Sequence, residues 1–195
     1  IRDVGGKRFG SRNDLTGTNG RGSCDRVRDI LDPGTRSGVR LRSESAKWHE
    51  KNHRIWSYGN AQGGVENPEV YRRNYGLLLY LNNYDGFATY CYYEAFGNPW
   101  DDFDFPYFRD HNLVYPTADG VVDTIAWEGY REAVDDIRYA TTLREAAATA
   151  HKSGNPAKIS IAVAAEEWLQ NIDAEYANLD VVRSMMIQWI LKLRK

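Results

Sequence analysis

Two stretches of the chain alternate with the two-residue period of a β-strand. RIWSYGN at 54–60 sets Trp56, Tyr58 and Asn60 on one face. DGFATYCYYEAFGNPW at 85–100 predicts a strand over 86–94 with Tyr90, Tyr92 and Glu94 on one face, since successive strand side chains point to opposite sides. Between them Asn67 is placed to cap a helix with Pro68 at its first position, and Tyr71, Tyr75, Leu78 and Leu79 recur at helical spacing. Strand, crossover helix, strand is the repeating unit of a parallel α/β fold.

The rest of the chain is read the same way. A short strand is predicted near 7–12, followed by the loop LTGTNGRG, a helical turn after Ser23 with Val27, Ile30 and Leu31 on one face, and a turn at Asp32-Pro33-Gly34. VRLR at 39–42 alternates as a half-exposed strand, and 43–52 reads as a helix. Residues 98–120 read as one long loop carrying acids, aromatics, Arg109 and His111; loops of this length in a domain are functional or disordered. A helix capped by Asp123 or Thr124 follows, with Ile125, Tyr130, Val134, Ile137 and Leu143 approximating its apolar face. Ser153-Gly154-Asn155-Pro156 breaks it. Two further helices, about 157–176 and 179–195, carry an inner stripe of Trp168, Leu169, Ile172, Val182, Met186, Trp189, Ile190 and Leu193. They predict a helical hairpin over 151–195 packed on a domain spanning 1–150.

Composition adds limits. At 195 residues, 42% apolar and 13% aromatic, the chain has room for one sizeable core. No run of about 18 apolar residues occurs, so no membrane partner is expected, and the first ten residues lack the apolar centre of a signal peptide. Starting at Ile1 without Met fits a processed protein or a piece of a longer one; localisation is not readable. The net charge of −2 hides an asymmetry: residues 1–54 hold 13 Lys and Arg against 7 acids, near +6, and the remainder is near −8. The arginines lie among Gly, Ser and Asp without aromatic interleaving, so no nucleic-acid partner is expected. Cys24 and Cys91 form no ligand pair, the four histidines show no metal spacing, and DDFDF at 101–105 lacks the spaced oxygens of a calcium loop. No metal and no cofactor are implied.

The run IWSYGN, NPEVYRRNYGLLLY, DGFATYCYYEAFGNPW, NLVYPTADGVVDTIAWEGYREAVDDIRYATTL resembles the carboxyl-terminal half of the family 123 glycoside hydrolase type of catalytic domain, also catalogued as domain of unknown function 4091. The resemblance covers roughly residues 44–145. It implies an α/β fold, a partial (β/α)₈ TIM barrel made of about the last four β/α units, with strands near 7–12, 39–42, 54–60 and 86–94. It also implies hydrolysis of O-glycosidic bonds of N-acetylhexosamines by substrate assistance, in which an Asp orients the acetamido group and an adjacent Glu is general acid. This sequence contains no Asp-Glu dipeptide. Either the pair lies in a missing amino-terminal half of the barrel or this branch uses other chemistry, and the chain on its own is expected to be inactive.

The residues themselves leave alternatives open. Trp56, Tyr58 and Asn60 suit stacking on a sugar ring with a polar rim, or plain core packing. Tyr90 and Tyr92 would wall the same hollow, and Asn98 and Trp100 would line it from above or merely fold the loop. Glu94, a carboxylate ending an aromatic strand, suits ligand hydrogen bonding or proton transfer, or an ion pair with Arg109. Its only conceivable catalytic partners are Asp101, Asp102 and Asp104, all on one connection. Glu128, Arg131, Asp135, Asp136 and Arg138 read as structural pairs on a helix. The leading expectation is a carbohydrate-active, glycoside hydrolase-like fragment with a carbohydrate ligand. The alternatives are a noncatalytic carbohydrate-binding or structural barrel domain, or a small self-contained α/β domain.

Overall fold

Leu41, Ser45 and Trp48 recur at helical rather than strand spacing, and that period wins over the short alternation of VRLR. The computed structural model describes residues 37–58, 67–89, 91–107 and 110–195, the side chains of 37–40 and 58 excepted. In it Ser37–Glu50 is helix α1, so the strand expected at 39–42 is replaced by helix. Leu41 and Ser45 are buried, and the Ser45 hydroxyl donates to the Asn82 carbonyl at 2.7 Å. The strand expected near 7–12 and the turn after Ser23 lie outside the described residues.

Strand β1, Trp56–Tyr58, pairs in parallel with β2, Gly86–Ala88, in the register Trp56 with Gly86, Ser57 with Phe87 and Tyr58 with Ala88. The expected strand, helix, strand unit is present, but both strands are shorter than expected. Thr89 donates its hydroxyl to the Cys91 carbonyl at 3.1 Å, and the chain beyond turns away to pair elsewhere. Tyr92 and Glu94 therefore lie past the end of β2. The crossover is α2, Pro68–Tyr75, and α3, Leu77–Leu81. Asn67 makes no side-chain cap, contrary to expectation; Pro68 starts the helix with its fixed φ. Gly76 interrupts the expected continuous helix where a Cβ would meet the Arg72 carbonyl at 2.4 Å and Ala133 at 3.3 Å.

The region expected to be one loop contains an antiparallel hairpin, β3 (Val114–Thr117) with β4 (Gly120–Asp123). It delivers the chain to α4, Ile125–Lys152, capped by the Thr124 hydroxyl accepting from the Trp127 N–H at 3.2 Å. Of the expected stripe Leu143 is buried, Tyr130, Val134 and Ile137 are half-buried and Ile125 is exposed; the buried face of α4 is Ala126, Gly129, Ala133, Asp136, Ala140, Leu143, Ala147 and Ala150, mostly small residues. Those small residues recur at alternating steps of three and four, the spacing of one helix face. They let α2 and the last two helices approach closely. Gly154, at φ +67°, ends α4 in the left-handed conformation that favours glycine, and Asn155 caps α5, Pro156–Gln170. Asn178 caps α6, Leu179–Arg194.

Helices α4, α5 and α6 share a core with α3 through Leu77, Leu143, Leu169, Met186 and Ile190. Each such side chain, fully buried, is worth about 1.5–3 kcal/mol. A second cluster of Tyr71, Tyr75, Leu113, Ala126 and Ala133 takes in Phe87 from the sheet. The fold is thus mixed α/β, with parallel pairing over two strands among the described residues. No described helix is long and apolar enough to cross a membrane.

Candidate functional site

The parallel pair has one face committed to packing. Ser57 is buried, and Phe87 beside it packs on Tyr75 and Tyr130 at centroid distances of 5.2 Å each. The opposite face carries Trp56, which is 43% exposed. Its indole lies over the partner position Gly86, where a Cβ would come within 2.9 Å of the ring. Glycine at 86 is what lets that aromatic lie flat across the strand pair. Tyr58 follows two residues on in β1, while Asn60 and Tyr90 lie outside the described residues.

Past β2 the chain forms a ribbon. The Leu113 N–H donates to the Tyr92 carbonyl at 3.0 Å and the His111 N–H to the Glu94 carbonyl at 2.9 Å. The Glu94 N–H donates to Asn112 Oδ1 at 3.3 Å, and the Phe96 N–H to Asp110 Oδ1 at 2.9 Å. This cross-linking holds Glu94 half-buried at a fixed point of the loop. Its carboxylate accepts no hydrogen bond from a described residue, and Arg109, its expected ion-pair partner, lies outside them. Tyr92 sets its ring edge-on to Trp127 of α4, centroids 5.6 Å apart, and is otherwise exposed.

A narrow cleft opens beside Cys91, lined by Tyr71, Tyr75, Thr89, His111 and Asn112, with a cavity volume of about 10 Å³. That is room for about one water. Burial and then the charge of Glu94 push the Cys91 thiol up, so it stays protonated and donates to the His111 carbonyl at 3.3 Å. Burial, followed by Cys91, likewise raises Tyr71. Such groups are poor nucleophiles at neutral pH. Neither Trp56, Glu94 nor Trp100 lines this cleft.

Farther along, the loop 98–115 is tied by carboxylates. Asp102 is 4% exposed; its Oδ1 accepts from Asn112 Nδ2 at 3.1 Å and its Oδ2 from the Tyr115 hydroxyl at 2.5 Å. Asp104 Oδ2 accepts from the Asn98 N–H at 2.5 Å, folding close over Gly97, where a Cβ would meet it at 2.4 Å. Asn98 Oδ1 in turn accepts from the Trp100 N–H at 3.1 Å. Two of the acids considered as partners for Glu94 are thus occupied in holding the loop. Among the described residues no cluster of three or more His, Cys, Asp or Glu is arranged to hold a metal ion.

The structure brings Glu94 together with Asn112, Trp100 with Asn98 and Tyr115, and Trp56 with Gly86 on the sheet. Asp110, Asn112 and Tyr115 were not among the candidates the sequence offers, and Asp102 entered only as a partner for Glu94, not as a tie within the loop. The Asp119-Gly120 pair after the apolar Leu113-Val114-Tyr115 run was the available signal, because Asp-Gly between strand-like segments marks a hairpin.

Residues 55–143 match the family model described as Glycoside hydrolase 123, catalytic domain. The match takes in β1, α2, α3, β2, the ribbon, the hairpin and most of α4, and leaves α1, α5 and α6 outside. No curated protein and no solved structure matches the chain.

Proposed function

On the premise that residues 55–143 form part of a glycoside hydrolase 123-type catalytic domain, we propose that this chain supplies part of the sugar site of an enzyme hydrolysing O-glycosidic bonds of N-acetylhexosamines. The family match is the observation that carries the reading. In support, β1 and β2 pair in parallel across a helical crossover, the arrangement of neighbouring units in a (β/α)₈ barrel, whose active sites form at the carboxyl ends of the strands. The chain following β2 bears Tyr92, Glu94, Asn98 and Trp100, and β1 bears Trp56 and Tyr58. In this reading Trp56 and its neighbours wall the hollow. Asn60 and Tyr90 are further candidates by residue type alone, and Glu94 accepts a hydrogen bond from a sugar hydroxyl. The Asp-Glu pair that would orient the acetamido group and protonate the leaving oxygen comes from a preceding half of the barrel.

A second reading is favoured by one observation. Asp102 and Asp104 are engaged by hydrogen bonds within the loop, and the chain has no Asp-Glu dipeptide, so a noncatalytic carbohydrate-binding domain would need nothing further. Assay of the complete parent reading frame on 4-nitrophenyl N-acetyl-β-hexosaminides separates the two. Turnover supports the hydrolase; sugar binding without turnover supports the binder.

A further inference from the structure

The loop beyond β2 carries exposed aromatic side chains, and one part of it is tied by a buried carboxylate. Trp100 lies ring to ring on Tyr115, with centroids 5.3 Å apart and planes 13° from parallel. One indole face is thereby covered, yet the residue remains 55% exposed, so the other face is open. The floor is fixed from beneath, because the Tyr115 hydroxyl donates to Asp102, and Asp102 is itself locked by Asn112. The Trp100 main chain is held as well, its N–H donating to Asn98 Oδ1 at 3.1 Å. An aromatic face left in water forgoes hydrophobic gain, and ordering it costs conformational entropy. A surface that bears both costs has the properties of a preorganised contact.

We propose that Trp100 stacked on Tyr115 is a platform for the C–H face of a pyranose ring, with Tyr115 and Asp102 as positioning residues that set its tilt. This rests on the carbohydrate reading above and deepens it. It adds a contact that reads the ring rather than the acetamido group, at a distance along the chain from Glu94. A flat indole takes the axial C–H bonds of a sugar and leaves its hydroxyls to water. The platform therefore accepts plain and N-acetylated galactosides alike.

The test is saturation-transfer NMR and a tryptophan-fluorescence titration of the 195-residue chain with methyl β-D-galactopyranoside and with methyl N-acetyl-β-D-galactosaminide. Both sugars are expected to receive saturation on ring C–H protons. Trp100→Leu, apolar but without a flat face, weakens both by about tenfold or more, equivalent to about 1.4 kcal/mol. Tyr115→Phe keeps the floor but frees it from Asp102, and weakens binding about threefold, about 0.65 kcal/mol, besides lowering the thermal midpoint by several degrees because the buried Asp102 carboxylate loses a donor. A purely structural role for Tyr115 would move unfolding and leave affinity alone. Absence of binding by both sugars, or unchanged affinity in Trp100→Leu, overturns the platform; unchanged affinity in Tyr115→Phe overturns the positioning role. Turnover by the parent protein with no binding at Trp100 would sink this inference alone. Binding at Trp100 without turnover would sink the hydrolase reading and leave the platform standing.

Discussion

Arg72 of α2 and Asp136 of α4 meet in the interior, Nε to Oδ2 at 2.8 Å, with Asp136 wholly buried. Arg183 of α6 closes on the same carboxylate at 2.6 Å and also pairs with Glu132, while Arg72 reaches Asp180 at 2.7 Å. Burial works against the Arg72 charge, but its hydrogen bonds to Asp136 and Asp180 outweigh that and hold its pKa above the ordinary guanidinium range. One carboxylate thus ties the helix crossing between β1 and β2 to the helix that follows the hairpin and to the last helix.

Asp136→Asn leaves two largely buried guanidinium groups short of their counter-charge. It is expected to cost about 3–5 kcal/mol, because removing one partner of a buried pair strands the other. Glu128→Gln, which breaks only the exposed pair with Arg131, should cost less than about 1 kcal/mol. Urea unfolding followed by circular dichroism reads both; equal midpoints for the two variants would remove Asp136 from its place in the joint.

Gly129 is where α4 passes closest to the start of α2, and an added Cβ would meet the Pro68 carbonyl oxygen at 2.2 Å. Ala at this position improves intrinsic helix propensity, yet the backbone oxygen cannot swing aside. Gly129→Ala is therefore expected to destabilise by about 1–3 kcal/mol, the range for overpacking. A thermal midpoint raised above wild type would show that the helices are not in contact there.

Asp85 ties the sheet to α1: its Oδ2 accepts from the Ile55 N–H at 2.8 Å and meets His49 Nε2 at 2.9 Å. Burial pushes this carboxyl up, but the His49 and Ile55 hydrogen bonds, with the charges of His49 and Arg54, hold it below its ordinary value. A lowered folded-state value means the stabilisation is complete above the unfolded carboxylate pKa of about 3.9 and fades as pH falls through the folded one. Unfolding midpoints between pH 6 and pH 3 should therefore drop more steeply at the acid end for wild type than for Asp85→Asn. Parallel profiles would contradict the assignment.

How much of this was legible in the chain depends on which signal each element carried. Residues 56–58 and 86–88 announced themselves by alternation, and α2 and α3 by tyrosines and leucines at helical spacing. The long helix was legible in extent but not in orientation, because reading large apolar residues as the buried face selected Ile125 and passed over Ala126, Ala133, Ala140 and Ala147. Close helix packing rewards small side chains, which a hydrophobicity pattern underweights. VRLR misled because four residues of alternation are too short to outweigh Leu41, Ser45 and Trp48. In the candidate site, Trp100 and Asn98 could be singled out from residue type alone. The Asp102, Asn112 and Tyr115 tie could not, since it joins residues ten or more apart through side-chain geometry that no local period encodes.

The glycoside hydrolase-like reading is tested most directly by the turnover of 4-nitrophenyl N-acetyl-β-galactosaminide by the complete parent reading frame, with Glu94→Gln measured beside it. The account predicts hydrolysis by the unaltered protein and a loss on the order of hundredfold in kcat/KM for the variant, the scale of a lost transition-state hydrogen bond. No hydrolysis of this or any aryl N-acetylhexosaminide by the unaltered protein would contradict it, and full activity in Glu94→Gln would take Glu94 out of the site.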